Sequence, residues 1–340
     1  MSEANQGDGT RMKAVVVEQY GPVEGQRLAE APMPQPGEGE VRIRVAAAAI
    51  GFVDGLKIQG LYQTKDPLPF IPGMEFSGVV DALGAGVTTL QVGQRVLGLG
   101  LRGALAEFAV YPAADLHVVP DTVDLAQASG LLANYTTALY ALSETAQLRA
   151  GEQLLVLGAS GGTGSAAVTL GKLLGARVIA AASTEAKRQF ALLQGADAVL
   201  DYTQPDWRDT LKGIVGGKGV DVIFDGVGGE LSPLAFRTLA WRGRHLVVGF
   251  AAGKIPALPF NIALLKGASL MGVDLAQVRS REPEIHARLV RALLGWFASS
   301  HLKPPAVEVF PFEDFRAAFA AMTTRNAIGK MVVRIAPDIG

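Results

Sequence analysis

The sequence contains no cysteine, and this absence limits the chemistry that the protein can use. Without thiols there can be no disulfide bond, and neither a structural nor a catalytic zinc site can be built on Cys ligands. The four histidines lie far apart in the chain and form no HxxH or HExxH spacing. The sequence therefore predicts that the protein holds no metal.

Long apolar runs and a dominant charge are also missing. Lys and Arg (31) nearly balance Asp and Glu (32), so the net charge gives no reason to expect binding to nucleic acid or to an anionic membrane. Apolar runs are short and interrupted by Gly, Pro or charge, which excludes a bilayer-spanning helix. Residues 1–11 lack an apolar signal core and are predicted to be a disordered tail, so a cytoplasmic location is expected.

The rest of the chain contains two kinds of segment. Short β-like runs punctuated by Gly and Pro fill residues 12–128, which is typical of a small, irregular β-barrel. Strand-like runs then alternate with helical patterns over 129–271, and this alternation predicts a parallel, doubly wound sheet. The pattern there includes a helix at 231–240 and a strand at 245–249. Residues 272–340 return to mixed structure and are predicted to complete the first domain, so the fold class is α/β.

The most informative stretch runs from Gln153 to Arg188. A strand-like run at 154–157 leads into a glycine-rich turn, which is followed by a helix pattern and a second strand-like run at 177–182. This context predicts a dinucleotide-binding site, because glycines admit a pyrophosphate close to the backbone and to the free N–H groups of the helix start. Gly164 is expected to let the helix pack tightly on the first strand. The predicted cofactor-binding residues of the turn are Ala159, Ser160, Gly161, Gly162, Thr163 and Gly164.

The end of the second strand-like run indicates which nicotinamide cofactor is bound. A site that prefers NAD carries an Asp or Glu there, which holds the ribose 2′-hydroxyl. Here the run ends in Ala182 and Ser183, and Lys187 follows with Arg188 beside it. Hydroxyl and cationic donors suit a 2′-phosphate. Glu185 is close in sequence, but its expected role is to stabilise the start of the next helix. The sequence therefore predicts NADPH.

With these motifs in place, the chain resembles the zinc-free medium-chain dehydrogenase/reductases, in particular the NADPH:quinone oxidoreductase (zeta-crystallin-like) family. The likeness covers residues 12–336. The matching segments are Gly51-Phe52-Val53-Asp54, Pro72-Gly73-Met74-Glu75-Phe76-Ser77-Gly78, Val92-Gly93-Gln94-Arg95-Val96, Tyr135-Thr136-Thr137-Ala138-Leu139-Tyr140, the glycine turn, Asp225-Gly226-Val227-Gly228-Gly229 and Ala327-Ile328-Gly329-Lys330. The resemblance implies a GroES-like β-barrel catalytic domain with an inserted Rossmann domain, and an active site in the cleft between them.

The resemblance also implies roles for residues that the glycine motif does not reach. Ser183, Lys187, Tyr202 and Arg325 match positions that the family uses around the 2′-phosphate, and Thr137 matches a residue packed near the nicotinamide. The backbone segments that match the strand ends lining the cofactor are Gly226-Val227 and Gly249-Phe250.

The chain also departs from its relatives. Zinc alcohol dehydrogenases of the superfamily have metal ligands where this chain has Val53 and Met74. Quinone reductases often have Asn at the position of Gly51 and an aromatic residue at that of Leu56, so the substrate pocket is expected to differ there. Tyr62 is the best candidate for a catalytic hydrogen-bond donor, although it equally suits a pocket wall. Asn134 is either a pocket amide or the cap of a helix start.

The predicted function is NADPH-dependent reduction of quinones by direct hydride transfer without a metal. One alternative is an NADPH-dependent reductase of enone or acrylyl substrates. Another is a weakly catalytic NADPH-binding protein with a crystallin-like or RNA-binding role, which the balanced charge disfavours. The resemblance further implies a homodimer formed through the last strand of the nucleotide sheet, near residues 269–275.

Overall fold

The computed structural model describes residues 11–323 and 327–339. These residues form two compact units. The second is Ala133–Lys303, and the first combines the described residues on either side of it. The sequence-based boundary at 271/272 therefore differs from the contact-defined boundary, which lies at 303/304. The helical segment after residue 272 belongs to the second unit, where α10 buries Leu289, Val290, Leu293 and Phe297 and Arg288 pairs with Glu144 at 2.9 Å.

The described strands, in chain order, are β1 (Arg11–Val16), β2 (Arg27–Pro32), β3 (Glu40–Ala49), β4 (Glu75–Leu83), β5 (Arg95–Leu99), β6 (Phe108–Pro112), β7 (Leu116–Val118), β8 (Gln153–Leu157), β9 (Arg177–Ala181), β10 (Ala198–Leu200), β11 (Val220–Asp225), β12 (Leu239–Val247), β13 (Ser269–Gly272), β14 (Val307–Pro311) and β15 (Lys330–Arg334). The described α-helices are α1 (Phe52–Ile58), α2 (Leu125–Ser129), α3 (Leu132–Leu139), α4 (Gly162–Leu173), α5 (Glu185–Leu193), α6 (Trp207–Ile214), α7 (Leu231–Phe236), α8 (Phe260–Lys266), α9 (Leu275–Arg281), α10 (Pro283–Ala298) and α11 (Phe315–Thr323). A π-helical segment, Tyr140–Thr145, follows α3.

The first unit is a largely antiparallel β-structure centred on β3. Its main sheet has the order β14-β15-β3-β4-β5-β7, and β6 also pairs with β3. In β3 the alternating Val41, Ile43 and Val45 are fully buried, and the alanines that follow are buried as well. Arg42 lies on the other face and binds Asp81 at 2.6 Å. This alternation, followed by a run of small residues, explains why β3 can be covered on both sides. The unit is the predicted GroES-like barrel.

The second unit is the predicted Rossmann domain. Its six strands have the order β10-β9-β8-β11-β12-β13, and every pairing is parallel. The chain moves outward from β8 to β9 and β10, then returns to the other side of β8 with β11. The carboxyl edge at such a reversal of strand order is where open parallel sheets bind ligands.

One local prediction in the second unit is wrong. The helix expected over 231–240 ends at Phe236, and β12 begins at Leu239, earlier than the predicted strand. Thr238 ends the helix by donating its hydroxyl to the carbonyl of Ala235 at 2.7 Å. Arg242 then takes a positive φ of 61° within β12, where the pairing with β11 is irregular. The sequence pattern did not show this bulge because it depends on pairing with a strand elsewhere in the chain.

In the described ranges, no helix combines the length and apolar composition that crossing a bilayer requires.

Candidate cofactor site and substrate-side segment

The glycine turn joins β8 to α4 and leaves no room for most side chains. Gly158 has a positive φ of 68°, and a Cβ built there would lie 2.9 Å from Val227. A Cβ at Gly164 would lie 2.2 Å from the carbonyl oxygen of Gly158, which is backbone and cannot move aside. This close approach of helix and strand is the role that the sequence assigned to Gly164. At Gly161 the nearest atom would be 3.6 Å away, so that position is open on the protein side.

Asn134 lies directly against the glycine turn. Its Oδ1 accepts a hydrogen bond from the hydroxyl of Thr163 at 2.9 Å, and a Cβ at Gly162 would be 2.4 Å from its Nδ2. Because α3 begins at Leu132, Asn134 is inside the helix and is not its cap. One turn further on, Thr137 donates its hydroxyl to the carbonyl of Ala133 at 2.7 Å. The amide therefore supports the turn, and its assignment to a substrate pocket stays a prediction.

The predicted cofactor residues beyond the turn meet at one edge of the sheet. In register, Leu157 of β8 pairs with Ala181 of β9 on one side and with Asp225 of β11 on the other, and Ala181 pairs with Leu200 of β10. Asp225 in turn pairs with Val247 of β12. The residues that follow these strand ends are the turn itself, Ser183, Tyr202, Gly226-Val227 and Gly249-Phe250.

At one end of this edge lie the residues predicted for the 2′-phosphate. Ser183 and Tyr202 follow neighbouring strands, which stay in contact one residue further through the N–H of Ala182 and the carbonyl of Leu200 at 3.0 Å. Lys187 is 9 % exposed, in the first turn of α5, and its N–H is capped by the hydroxyl of Thr184 at 3.4 Å. The structure thus places Ser183 and Tyr202 just past the ends of neighbouring strands, an arrangement that the sequence alone did not show. Arg325 lies outside the described residues.

Beside the centre of the edge is a buried polar network that the sequence analysis missed. The carboxylate of Asp225 accepts hydrogen bonds from the N–H groups of Val227 and Gly228, both at 2.9 Å, and from the hydroxyl of Ser232. His245 on the neighbouring strand contacts it through Nε2 at 3.0 Å. Burial alone would raise the pKa of Asp225, but the bonds from His245, Ser232 and Gly228 outweigh it and lower the pKa.

This network fixes the two backbone segments predicted to line the cofactor. The carbonyl of Gly226 accepts the N–H of Ala251 at 3.2 Å, and that of Val227 accepts the N–H of Ala252 at 2.8 Å. The segments after β11 and β12 are therefore held together as one surface. An aspartate that ends a buried strand and is followed by Gly-Val-Gly-Gly was the available signal. Its partners His245 and Ser232 could not be identified without the fold.

In the first unit, the residues predicted for substrate cluster around α1. Gly51 precedes this helix, and its N–H donates to the carboxylate of Asp54 at 2.8 Å. Burial raises the pKa of Asp54 to about 6, against the lowering effects of that bond and of Lys330 and Lys57. The half-buried Leu56 accepts the N–H of Leu61 through its carbonyl at 2.8 Å, and the half-buried Tyr62 follows in the loop.

Two buried ion pairs surround this helix, and neither was predicted. Lys57 binds Asp66 at 3.0 Å and donates to the carbonyl of Leu101 at 2.6 Å, which ties the loop containing Tyr62 to α1. Lys330 binds Glu75 at 3.1 Å, and both side chains are less than a tenth exposed. Lys330 and Glu75 are far apart in sequence, and Lys57 and Asp66 are separated by an irregular loop, so no local pattern indicated either pair.

Comparisons with known proteins agree with this architecture. Residues 37–121 match the family model of the alcohol dehydrogenase GroES-like domain, and residues 162–291 match that of the zinc-binding dehydrogenase. The chain is 36% identical over 335 residues to quinone oxidoreductase-like protein 2 of Rattus norvegicus, covering 98% of this chain and 95% of the relative. It is 31% identical over 325 residues to quinone oxidoreductase of Sus scrofa, covering 95% and 97%. The chain belongs to the medium-chain dehydrogenase/reductases, in their quinone oxidoreductase group.

Solved structures of this family have the same fold. The mycobacterial protein Rv1454c, solved in complex with NADPH, superposes with a TM-score of 0.87 at 31% identity, over 95% of this chain and all of that one. The enoyl reductase CurK gives a TM-score of 0.84 at 27% identity, over 96% and 99%. The prediction of a GroES-like domain combined with a Rossmann domain is confirmed, and the chain is an oxidoreductase of this family.

The zinc named in one of these family models does not fit the residues present. Val53 and Met74 offer no ligand for zinc, and the chain has no cysteine. Within residues 11–323 and 327–339, no three His, Asp or Glu side chains come together as metal ligands would. Asp54 and Glu75, which follow those two positions, are hydrogen-bonded to backbone or paired with lysine. No step of the reaction is therefore assigned to a metal.

Proposed function

We propose that the protein transfers hydride from NADPH to quinones without a metal. The observation that carries the proposal is the edge of the parallel sheet at β9 and β10. Ser183 stands there in place of an acid, Tyr202 follows the end of the neighbouring strand, and Lys187 lies in the first turn of the helix after Ser183. Cationic and hydroxyl donors favour a 2′-phosphate over a free ribose hydroxyl. The NADPH-bound mycobacterial relative supports this choice of cofactor.

The proposed roles of the residues follow from their positions in each unit. When bound, NADPH supplies the hydride from its reduced nicotinamide. The glycine turn would hold the pyrophosphate through the N–H groups at the start of α4, and the segments Gly226-Val227 and Gly249-Phe250 would line the dinucleotide. A quinone accepts hydride at its conjugated ring system, and a proton from water completes the hydroquinone. Tyr62 is proposed to donate a hydrogen bond to the oxygen on which negative charge develops.

The test measures the oxidation of NADPH by ortho- and para-quinones as a loss of absorbance at 340 nm, with and without a metal chelator. We expect enzyme-dependent loss of absorbance that the chelator does not change. Lys187→Ala should raise KM for NADPH, whereas Lys212→Ala, at an exposed lysine of α6, should leave it unchanged. Absence of turnover above the enzyme-free blank with every quinone would overturn the quinone assignment.

Reduction of enones is the second candidate, and two features favour it. Gly51 and Leu56 depart from the residues usual in quinone reductases, and the enoyl reductase CurK has the same fold. An enone accepts hydride at its β-carbon, and negative charge develops on the carbonyl oxygen, so the same donor would serve. A panel of quinones and alkyl enones at matched concentrations separates the two. A higher kcat/KM for the enones would favour the second candidate.

We also propose that the protein forms a homodimer through β13. Among the described strands, β13 pairs only with β12, so its other side is an open sheet edge. Large apolar side chains near it are mostly exposed: Trp241 70%, Phe260 87%, Leu264 80%, Leu265 71% and Leu270 54%. An open edge beside exposed apolar residues suits pairing with a second copy. Sedimentation velocity should give a dimer and Leu264→Asp a monomer; a monomeric wild type at micromolar concentration would contradict this.

A further inference from the structure

Arg188 holds together the three segments that carry the proposed 2′-phosphate residues. Its guanidinium binds the carboxylate of Asp201 through Nη1 at 2.9 Å and that of Glu185 through Nη2 at 2.9 Å. Nη1 also donates to the carbonyl of Ala182 at 3.2 Å. The arginine side chain is only 15 % exposed, so its charge is engaged within the protein. It thus joins the end of β9, the start of α5 and the loop after β10.

Each of these partners lies beside a residue proposed to bind the cofactor. Ala182 directly precedes Ser183, and Asp201 directly precedes Tyr202. Glu185 is in the same helix turn as Lys187. Loss of the arginine would therefore remove the side-chain contacts that link these three segments at the place where they have to converge on one ligand group.

The two carboxylates would also oppose a 2′-phosphate by charge. Burial tends to raise the pKa of Asp201, but hydrogen bonds from Thr203 and Gln204 and the charge of Arg188 lower it. Hydrogen bonds from Gln189 and Arg188 lower the pKa of Glu185. Both groups are therefore anionic at neutral pH. Like charges beside a phosphate weaken its binding, and a cation between the two carboxylates offsets that repulsion.

We propose that Arg188 is a specificity-determining residue for the phosphorylated cofactor. It neutralises Asp201 and Glu185 and fixes the segments of Ser183, Lys187 and Tyr202, without contacting the phosphate itself. The inference rests on the proposed use of NADPH. In NAD-preferring sites an acid at the end of the second strand selects the ribose hydroxyl. Here Glu185 and Asp201 are nearby, but both are paired with Arg188 and are therefore not available to bind a ribose hydroxyl.

The test is direct binding of NADPH and of NADH to the purified apoprotein, measured by isothermal titration calorimetry. Arg188→Gln should weaken NADPH binding about 10-fold or more, which corresponds to about 1.4 kcal/mol, and change NADH binding less than about 3-fold. Adding Asp201→Asn to that variant should restore much of the NADPH affinity. Arg208→Gln, at an exposed arginine of α6, is the matched control and should bind both cofactors like the wild type.

The single variant Asp201→Asn distinguishes two roles of Arg188, the neutralisation of the Asp201 charge and structural support of the segments. If charge decides, it should bind NADPH at least as tightly as the wild type; a loss like that of Arg188→Gln would overturn the proposal. Equal weakening of both cofactors in Arg188→Gln, or no change in either, would overturn it as well. A wild type that prefers NADH would instead contradict the proposed use of NADPH, so the two failures are distinguishable before any variant is made.

Discussion

The carboxyl edge of the second unit and the α1 segment of the first unit are constructed differently. At the edge, the proposed cofactor site rests on backbone: a turn in which most glycines leave no room for a side chain, and parallel strands whose ends lie in register. Around α1, the proposed substrate site rests on individual residues: Gly51 and Leu56 stand where quinone reductases often have other residues. The ion pairs of Lys57 and Lys330 are buried in the same unit. A turn that needs glycine at fixed positions is recognisable as a sequence motif, whereas a pocket lined by side chains from separate segments is not. The cofactor is therefore much better defined than the substrate.

Substitution in the glycine turn should have the largest effect. Gly164→Ala forces a Cβ to within 2.2 Å of a backbone oxygen, and we expect about 3 kcal/mol or more of lost stability. Gly161→Ala meets only ordinary contact, at 3.6 Å, so it should fold normally and yet bind NADPH more weakly. Urea unfolding and NADPH titration measure the two effects. Equal stability of both variants would show that the two glycines do not have separate roles.

The Asp225 network should be next in magnitude. Asp225→Asn removes the charge from a side chain that is 3% exposed, and we expect about 3 kcal/mol of lost stability. Because the folded pKa of Asp225 is lowered, its stabilisation is present above its unfolded pKa and is lost as pH falls through the folded value. The melting temperatures of wild type and variant should therefore differ at pH 7 and converge in strong acid. A pH-independent difference would contradict this account.

On the α1 side, Asp54 should give the opposite pH dependence. Its folded pKa is raised to about 6, so ionisation costs stability above that pH, and the cost disappears as pH falls toward the unfolded value. Relative to Asp54→Asn, the wild type should gain about 1–2 kcal/mol between pH 8 and pH 5. Asparagine keeps an acceptor for the N–H of Gly51. Melting curves of both proteins across this range are the measurement; parallel curves would contradict the prediction.

The smallest expected effect concerns Tyr62. If it donates to a developing oxyanion, Tyr62→Phe should lower kcat about 10-fold and leave NADPH affinity unchanged. Steady-state kinetics with one quinone and one enone, together with NADPH titration, give both values. A change in NADPH affinity without a change in kcat would contradict this role and would show that Tyr62 contributes to cofactor binding.

The difference between backbone motifs and side-chain contacts also explains which parts of the molecule the sequence could predict. The glycine turn and the missing acid at Ser183 were readable because strand, turn and helix are contiguous in the chain. Tyr202 was predicted only from the family resemblance, because its place at the site depends on the order of the strands in the sheet. The Asp225–His245 contact and the Lys330–Glu75 pair depend on the fold alone. The predicted boundary at 271/272 differs from the division at 303/304 because α9 and α10 carry no signal of which unit they join.

The central claim is that the carboxyl edge of the sheet selects the phosphorylated cofactor. Calorimetric titration of the wild-type apoprotein with NADPH and with NADH tests it most directly. The account predicts that NADPH binds about 10-fold or more tightly, since Ser183, Lys187 and Tyr202 favour the added phosphate. Equal affinities, or tighter binding of NADH, would contradict it.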